Sequence, residues 1–252
     1  MRLKEGQLSS IEIRGYKSLK NVKIDFGKID VLIGSNGAGK SNFISAFSLL
    51  QNILNKNLQV YAAQNGINSF FYNGRKVTEE IYFEVYFGNN SYGFTLLPTD
   101  DNRVVFNEEH FEYHGAWENR SNLSRGHAES MWDKGTGNKI DQFVVPILKR
   151  QEWRVYHFHD TGRNAKVKQE HNISNCKVLQ FDAGNLTAVL YRLKNSFKRQ
   201  YDEIVQTVRL IAPYFQDFIL EPLENNSEQT VLRWQQRGCE DIFNASQLSQ
   251  LL

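Results

Sequence analysis

The 252-residue sequence is poor in cysteine and proline, and it has no long hydrophobic run. Its two cysteines, Cys176 and Cys239, are far apart and form no C-x-x-C pair. A zinc site needs about four ligands at short spacing, so we expect free thiols of a reducing compartment and no zinc site. Only four prolines and no low-complexity tract occur, so no linker divides the chain into obvious domains.

Length, hydropathy and charge exclude several classes of protein. The longest apolar runs, such as Val31-Leu32-Ile33, are far shorter than the roughly 20 residues of a membrane-spanning helix. The N-terminus lacks the apolar core of a signal peptide, so we expect a cytoplasmic protein. Aromatic residues make up 13% of the chain, which excludes general disorder. The 30 basic and 28 acidic residues nearly balance, and this charge alone does not indicate nucleic-acid binding.

The hydrophobic pattern of the first third predicts strands that lead into a helix. Residues 10–34 show strand-like alternation, and the apolar run 31–33 ends in glycine, as a central strand covered on both faces would. From residue 41 the period changes, and 41–55 is predicted to be an amphipathic helix. Residues 56–78 give no regular signal.

The rest of the pattern predicts an antiparallel lobe followed by helices. Residues 79–113 alternate between apolar and polar positions, with turn signals between the runs, and predict a meander. Residues 115–139 resemble a loop, and 184–211 predict one or two helices. The remaining predicted elements are a helix at residues 140–150, a strand at 153–158 and a pair of strands within 214–243. The fold class is therefore α/β.

One motif carries chemistry: residues 34–41 match G-x-x-x-x-G-K-[ST] in full, between an apolar run and a helical pattern. Glycines let the backbone amides approach phosphates closely, and the following helix presents its positive end. Lys40 can reach the β- and γ-phosphates of a nucleotide, and the Ser41 hydroxyl can ligate Mg²⁺. The predicted nucleotide-binding residues are Gly34, Ser35, Asn36, Gly37, Ala38, Gly39, Lys40, Ser41 and Asn42.

The segments 11–19, 22–26 and 31–42 resemble the N-terminal part of RecF/SMC-like ATPases, which have ABC-type head domains, and are close to the branch described as predicted AAA-type ATPases. Further blocks that resemble this branch are residues 156–161, 182–193 and 245–249. The resemblance implies a P-loop NTPase fold in which residues 1–252 form a single head domain. It implies ATP and Mg²⁺ as ligands, and Arg14 as a basic residue near the nucleotide.

The same resemblance implies partners and a cellular role. Relatives dimerise around ATP, with the signature serine of one protomer on the γ-phosphate held by the other. They often act on DNA in repair, chromosome maintenance or phage defence. We therefore expect a homodimer or a partner chain, with DNA as a possible further ligand and no membrane association.

The end of the sequence departs from that family. Leu248-Ser249 corresponds to the start of the family's signature motif, but only Gln250, Leu251 and Leu252 follow. The family's Walker B strand, catalytic glutamate and switch histidine would lie beyond this point. We therefore expect an incomplete head with little hydrolysis by this chain alone, and we assign no catalytic residue. Three acids that end strand-like segments are alternatives, although a strand end or helix cap explains each of them more readily: Asp160, Asp182 and Glu221.

Two other functions stay open at this point. A nucleotide-binding fragment or regulatory remnant would bind ATP without turnover. A GTPase is suggested by Asn138-Lys139-Ile140-Asp141, which matches the N-K-x-D guanine-binding motif. That motif normally ends an apolar strand, whereas here it follows a polar loop, and four residues match by chance fairly often.

Overall fold

The computed structural model describes residues 6–115, 118–150, 154–156 and 165–245. The chain divides into two compact units, residues 1–154 and residues 155–252. Within the described ranges, no helix combines the length and the apolar character that crossing a membrane requires.

The first unit is built on a six-stranded sheet in which all neighbours are antiparallel, with strand order β2-β1-β3-β4-β5-β6. The strands are β1 (Ser10–Tyr16), β2 (Leu19–Asp25), β3 (Ile81–Phe87), β4 (Asn90–Pro98), β5 (Val104–His114) and β6 (Glu118–Ser124). The predicted meander over 79–113 is confirmed by β3 to β5. Short turns join these consecutive strands, which suits antiparallel pairing.

The described part of the first unit also has three α-helices, α1 (Lys40–Leu54), α2 (Leu58–Asn65) and α3 (Asp141–Arg150), and a 3₁₀-helix (Ile67–Phe70). Alternate residues of β1 and β3 are fully buried, among them Ile11, Ile13 and Phe83, and they belong to one hydrophobic cluster with residues of α1. Leu49, Leu50, Ile53 and further α1 residues recur at helical spacing on the buried face. Period-two and period-3.6 patterns therefore meet in one core, as the sequence predicts for residues 41–55.

The second unit has its own core. Helices α4 (Leu186–Ser196) and α5 (Lys198–Ile211) confirm the two-helix version of the 184–211 prediction. Its short strands are β7 (His171–Asn172), β8 (Phe215–Ile219), β9 (Gln229–Thr230), β10 (Arg233–Gln236) and β11 (Ile242–Asn244). They form an antiparallel sheet β11-β10-β8 and a β7–β9 pair, which confirms strands within 214–243. Trp234, 1% exposed, packs in this core with Phe215, Phe218 and Tyr201.

The predicted central strand at residues 31–33 is wrong. Val31, Leu32 and Ile33 have no strand geometry and are 75%, 41% and 88% exposed. A strand buried on both faces needs a pairing partner and covering layers. Among the described strands, none pairs with this segment.

Three of the described α-helices and strands are absent from the prediction. Helix α2 lies in the segment 56–78, β6 lies in the polar segment 115–139, and the short strand β7 lies between the predicted elements 153–158 and 184–211. The start of α2 is held from far away, since the carboxylate of Glu129 accepts the backbone N–H groups of Leu58 and Gln59 at 2.9 Å each. The predicted helix 140–150 is confirmed by α3, whereas the predicted strand 153–158 lies mostly outside the described residues, and residues 154–156 are irregular.

Gly15 in β1 offers a test of this fold. Its φ is +75°, and a Cβ there would lie 2.5 Å from the carbonyl oxygen of Glu80. We expect Gly15→Ala to lower the free energy of unfolding by about 3 kcal/mol, from left-handed strain plus overpacking. Gly88→Ala is the matched control, because Gly88 has φ +67° but open space around it. That control should cost only about 1 kcal/mol. Equal losses in urea unfolding would contradict the close approach.

Candidate functional site

The glycine-rich segment 34–39 forms a turn that leads directly into α1. Gly37 and Gly39 have φ values of +85° and +90°, a region that residues with a Cβ rarely adopt. A hydrogen bond from Ala38 N to Ser35 O, 3.2 Å long, closes the turn. Helix α1 then starts at Lys40, and Phe43 N donates to Gly39 O at 2.9 Å. The two glycines are thus required by backbone geometry.

The N-terminus of α1 is open toward this turn. Its N-cap is Gly39, and none of the described side chains caps the helix by a hydrogen bond. The first N–H groups of a helix have no intrahelical acceptor and carry the positive end of the helix dipole. Residues 36–42 line a cavity of about 210 Å³ at this place. Such an end is suited to an anion of the size of a phosphate group.

Lys40 lies folded across the turn. Its Nζ donates to the backbone carbonyl oxygens of Gly34 at 2.7 Å and Ser35 at 2.8 Å. The ammonium is therefore held at the turn, beside the open helix end. Ser41 is exposed on the same first turn. Asn42 donates from Nδ2 to the Ser18 hydroxyl at 2.8 Å, which ties the helix start to the turn between β1 and β2.

The structure brings the nine predicted loop residues together but gives Arg14 other surroundings. The Arg14 guanidinium lies 3.9 Å from the centre of the Tyr82 ring, and its Nε is 3.5 Å from the Glu12 carboxylate. Arg14 lines a different cavity, of about 440 Å³, together with Lys20 and Tyr82. That cavity shares no lining residue with the cavity at 36–42.

The alternative acids have local structural partners or fall outside the description. Asp182 pairs with Lys166 Nζ at 2.7 Å and accepts the Gly184 N–H at 3.0 Å. The hydrogen bond from Lys166 lowers the pKa of Asp182 below its ordinary value. Glu221 is exposed and comes two residues after β8. Asp160 lies outside the described residues, as does Ser249.

Asp141 of the N-K-x-D match is the first residue of α3. Its carboxylate accepts the backbone N–H groups of Thr136 at 2.5 Å and Gly137 at 2.7 Å, and also contacts the Thr136 hydroxyl. Two amides of the preceding loop therefore fold back on this side chain. A guanine-binding aspartate has to present its carboxylate to the base, whereas Asp141 uses it to hold its own loop.

A second polar cluster lies in the six-stranded sheet, and sequence reasoning missed it. Glu84 on β3 and His110 on β5 are 3% and 1% exposed. Burial would raise the pKa of Glu84, but the hydroxyl groups of Ser91, Tyr82 and Tyr86, which donate to its carboxylate, hold it well below its usual range. The single glutamate in the otherwise apolar strand β3 was the available signal, but the spacing along the chain does not show that it meets His110 of β5.

A glycine-rich turn, a lysine folded over it and an open helix N-terminus define a P-loop nucleotide-binding protein. The family model of the AAA ATPase domain matches residues 7–251, so the chain belongs to that family and is an ATP-binding ATPase of α/β fold. No curated protein matches the chain. One similar solved structure comes from "Structural biochemistry of ATP-driven dimerization and DNA stimulated activation of SMC ATPases". It has a TM-score of 0.31 and 21% identity, and the match covers 56% of this chain and 79% of that chain.

The role of Asp141 can be tested directly. We expect Asp141→Ala to lower the free energy of unfolding by about 1–2 kcal/mol, because two loop amides lose their acceptor. The preference for ATP over GTP, measured by competition against a fluorescent nucleotide, should not change. Loss of a GTP preference in the variant, with unaltered stability, would instead identify Asp141 as a guanine-binding residue.

Proposed function

We propose that this chain binds Mg·ATP at residues 34–42. The position of Lys40 is the observation that carries the proposal. Its ammonium already lies on the carbonyl oxygens of Gly34 and Ser35, beside the open end of α1. A triphosphate offers more acceptor oxygens with formal charge than two carbonyls do, so phosphate contacts would replace the internal ones.

Each loop residue has a proposed role that follows from its chemistry. The backbone amides at 36–41 bind the phosphates as an anion nest, and Gly37 and Gly39 permit that backbone. Lys40 contacts the β- and γ-phosphates. The exposed hydroxyl of Ser41 is a suitable ligand for Mg²⁺, a hard cation that favours oxygen and keeps several waters. Arg14 stays a prediction, because a nucleotide contact would compete with its stacking on Tyr82 and its pairing with Glu12.

The first test is nucleotide binding by Lys40→Ala. We expect a loss of Mg·ATP affinity of at least tenfold in calorimetry, because the variant lacks the cation at the phosphates. Lys28→Ala is the matched control, since Lys28 is an exposed lysine outside the loop, and it should bind like the unmodified chain. Equal affinity of the Lys40 variant and the control would overturn the proposal.

Variants of Ser41 distinguish the contribution of Mg²⁺ from that of the nucleotide. We expect Ser41→Ala to abolish the gain in ATP affinity that Mg²⁺ provides, while Ser41→Thr keeps it, because threonine retains the hydroxyl ligand. Affinity is measured with Mg²⁺ and with EDTA. An Mg²⁺ effect of unchanged size in Ser41→Ala would assign the metal to other groups.

We propose that turnover by this chain alone is weak, and that a partner chain supplies the catalytic acid. Support comes from the resemblance of residues 11–42 to RecF/SMC-like ATPases, together with the local partners of Asp182 and the exposed position of Glu221. Steady-state phosphate release is the test. Release that Lys40→Ala abolishes would show that an acid is present, whereas ATP binding without release would favour the non-hydrolysing alternative.

The same resemblance supports two further proposals: ATP-dependent dimerisation, and action on DNA in repair, chromosome maintenance or defence. Light scattering with and without Mg·ATP tests the first, and no mass increase with ATP would count against it. Fluorescence anisotropy with labelled DNA across a salt series tests the second, because phosphate contacts weaken as salt rises.

A further inference from the structure

The second polar cluster is formed by three side chains on two strands. Glu84 comes from β3, and His110 and Glu112 come from β5. One ligand atom of each lies within 4.8 Å of the other two. His110 Nε2 is 3.8 Å from Glu84 Oε1 and 3.8 Å from Glu112 Oε2. These separations are too long for hydrogen bonds. Two ligands of one cation, each about 2.1 Å from it, can be up to about 4.2 Å apart.

The register of the sheet explains how the side chains meet. Glu84 pairs with Gly93 on β4, and Gly93 pairs with His110, so Glu84 and His110 are two strands apart. A side chain at position 93 would block their approach: a Cβ there would lie 2.5 Å from both Cε1 and Nε2 of His110. Gly93 therefore leaves the space into which Nε2 and the Glu84 carboxylate point.

His110 Nε2 is a buried polar atom that lacks a hydrogen-bond partner among the described residues, and the side chain is 1% exposed. The other ring nitrogen, Nδ1, lies 3.1 Å from Arg120 Nη2, which can only donate. Neutral His110 consequently carries its proton on Nε2, facing two carboxylates beyond hydrogen-bonding distance. A buried N–H without an acceptor is costly.

The hydrogen bonds of the Glu84 carboxylate leave acceptor capacity on Oε1, the oxygen nearer to His110. Both tyrosine hydroxyls, of Tyr82 and Tyr86, donate to Oε2 of Glu84, the latter at 2.8 Å. Oε1 accepts from Ser91 at 2.6 Å and keeps one lone pair. Glu112 is 19% exposed, so the cluster is accessible from solvent at its edge.

We propose that Glu84 Oε1, His110 Nε2 and Glu112 Oε2 bind a divalent transition-metal ion, with Zn²⁺ as the probe. One imidazole and two carboxylates form a three-ligand set that leaves a fourth position for water. Metal binding would require the His110 ring proton to leave Nε2 for Nδ1, which frees the Nε2 lone pair for the metal. The Arg120–Nδ1 hydrogen bond breaks, and Arg120 remains on Glu108, 2.8 Å away.

Arg120 provides a test that distinguishes a metal site from a structural cluster. Its guanidinium lies 3.4 Å from Glu112 Oε2 and 2.8 Å from Glu108, so it neutralises part of the charge that would attract a cation. Removal of a charged competitor should strengthen metal binding, whereas removal of a purely structural residue should not. Arg120→Gln is therefore expected to bind Zn²⁺ more tightly, by about three- to tenfold.

The experiment is calorimetric titration of Zn²⁺ without nucleotide, in the full chain carrying Cys176→Ser and Cys239→Ser to remove thiol binding. We expect one site, weakened at least tenfold by His110→Gln and by Glu112→Gln. Glu112 lies at the exposed edge, so its variant keeps the proposal testable if the buried His110 variant unfolds, which circular dichroism will show. His171→Gln, at a histidine of the second unit, should bind as the parent does.

Cobalt substitution adds a readout of the ligand set. Co²⁺ in the parent should give visible d–d absorption that Glu112→Gln changes and His171→Gln does not. Equal Zn²⁺ affinity in the parent, Glu112→Gln and Arg120→Gln would overturn the site, as would binding that the His171 variant alone abolishes.

Discussion

The contact between the β1–β2 turn and the first turn of α1 fixes the glycine-rich loop. Ser18 in that turn accepts from Asn42, and a Cβ at Gly39 would lie 3.2 Å from the Ser18 hydroxyl oxygen. One helical turn further, the Tyr16 hydroxyl reaches Ser45 at 3.2–3.3 Å. The sheet therefore positions the helix end, and the helix end positions the loop backbone. A glycine at 39 is favoured by its positive φ, and a Cβ there would also press on the Ser18 hydroxyl.

Strand alternation gives the six-stranded sheet two faces with different chemistry. On β3, Phe83 and Val85 enter the hydrophobic cluster that includes α1. Glu84, between them, points to the opposite face, where it meets tyrosine hydroxyls and His110. Successive side chains of a strand point to opposite sides, so one period-two pattern supplies both a core and a polar cluster. Burial of the Glu84 carboxylate on the polar face costs free energy, and the several hydrogen-bond donors around it offset this cost.

Sequence patterns predicted local structure better than long-range structure. The loop 34–41 and helix α1 depend on neighbouring residues, and both were predictable from the motif and the period of apolar positions. The strand at 31–33 was wrongly predicted because pairing partners decide whether an apolar run becomes a strand. Helix α2 was missed because Glu129, about 70 positions away, holds its first turn. The Glu84–His110 cluster was missed because only the register through Gly93 brings it together.

Both candidate sites hold a basic side chain on the groups that a ligand would use or approach. Lys40 occupies two loop carbonyls, and Arg120 occupies Nδ1 of His110 and the carboxylate of Glu112. These internal contacts satisfy charges and polar groups while no ligand is bound. Each ligand must exchange them for its own contacts, so the affinity of either site is a difference between two sets of charge-assisted interactions. The basic side chain has opposite effects on ligand binding at the two sites. At the loop, Lys40 itself would bind the ligand, whereas in the sheet Arg120 opposes the ligand and has to move aside.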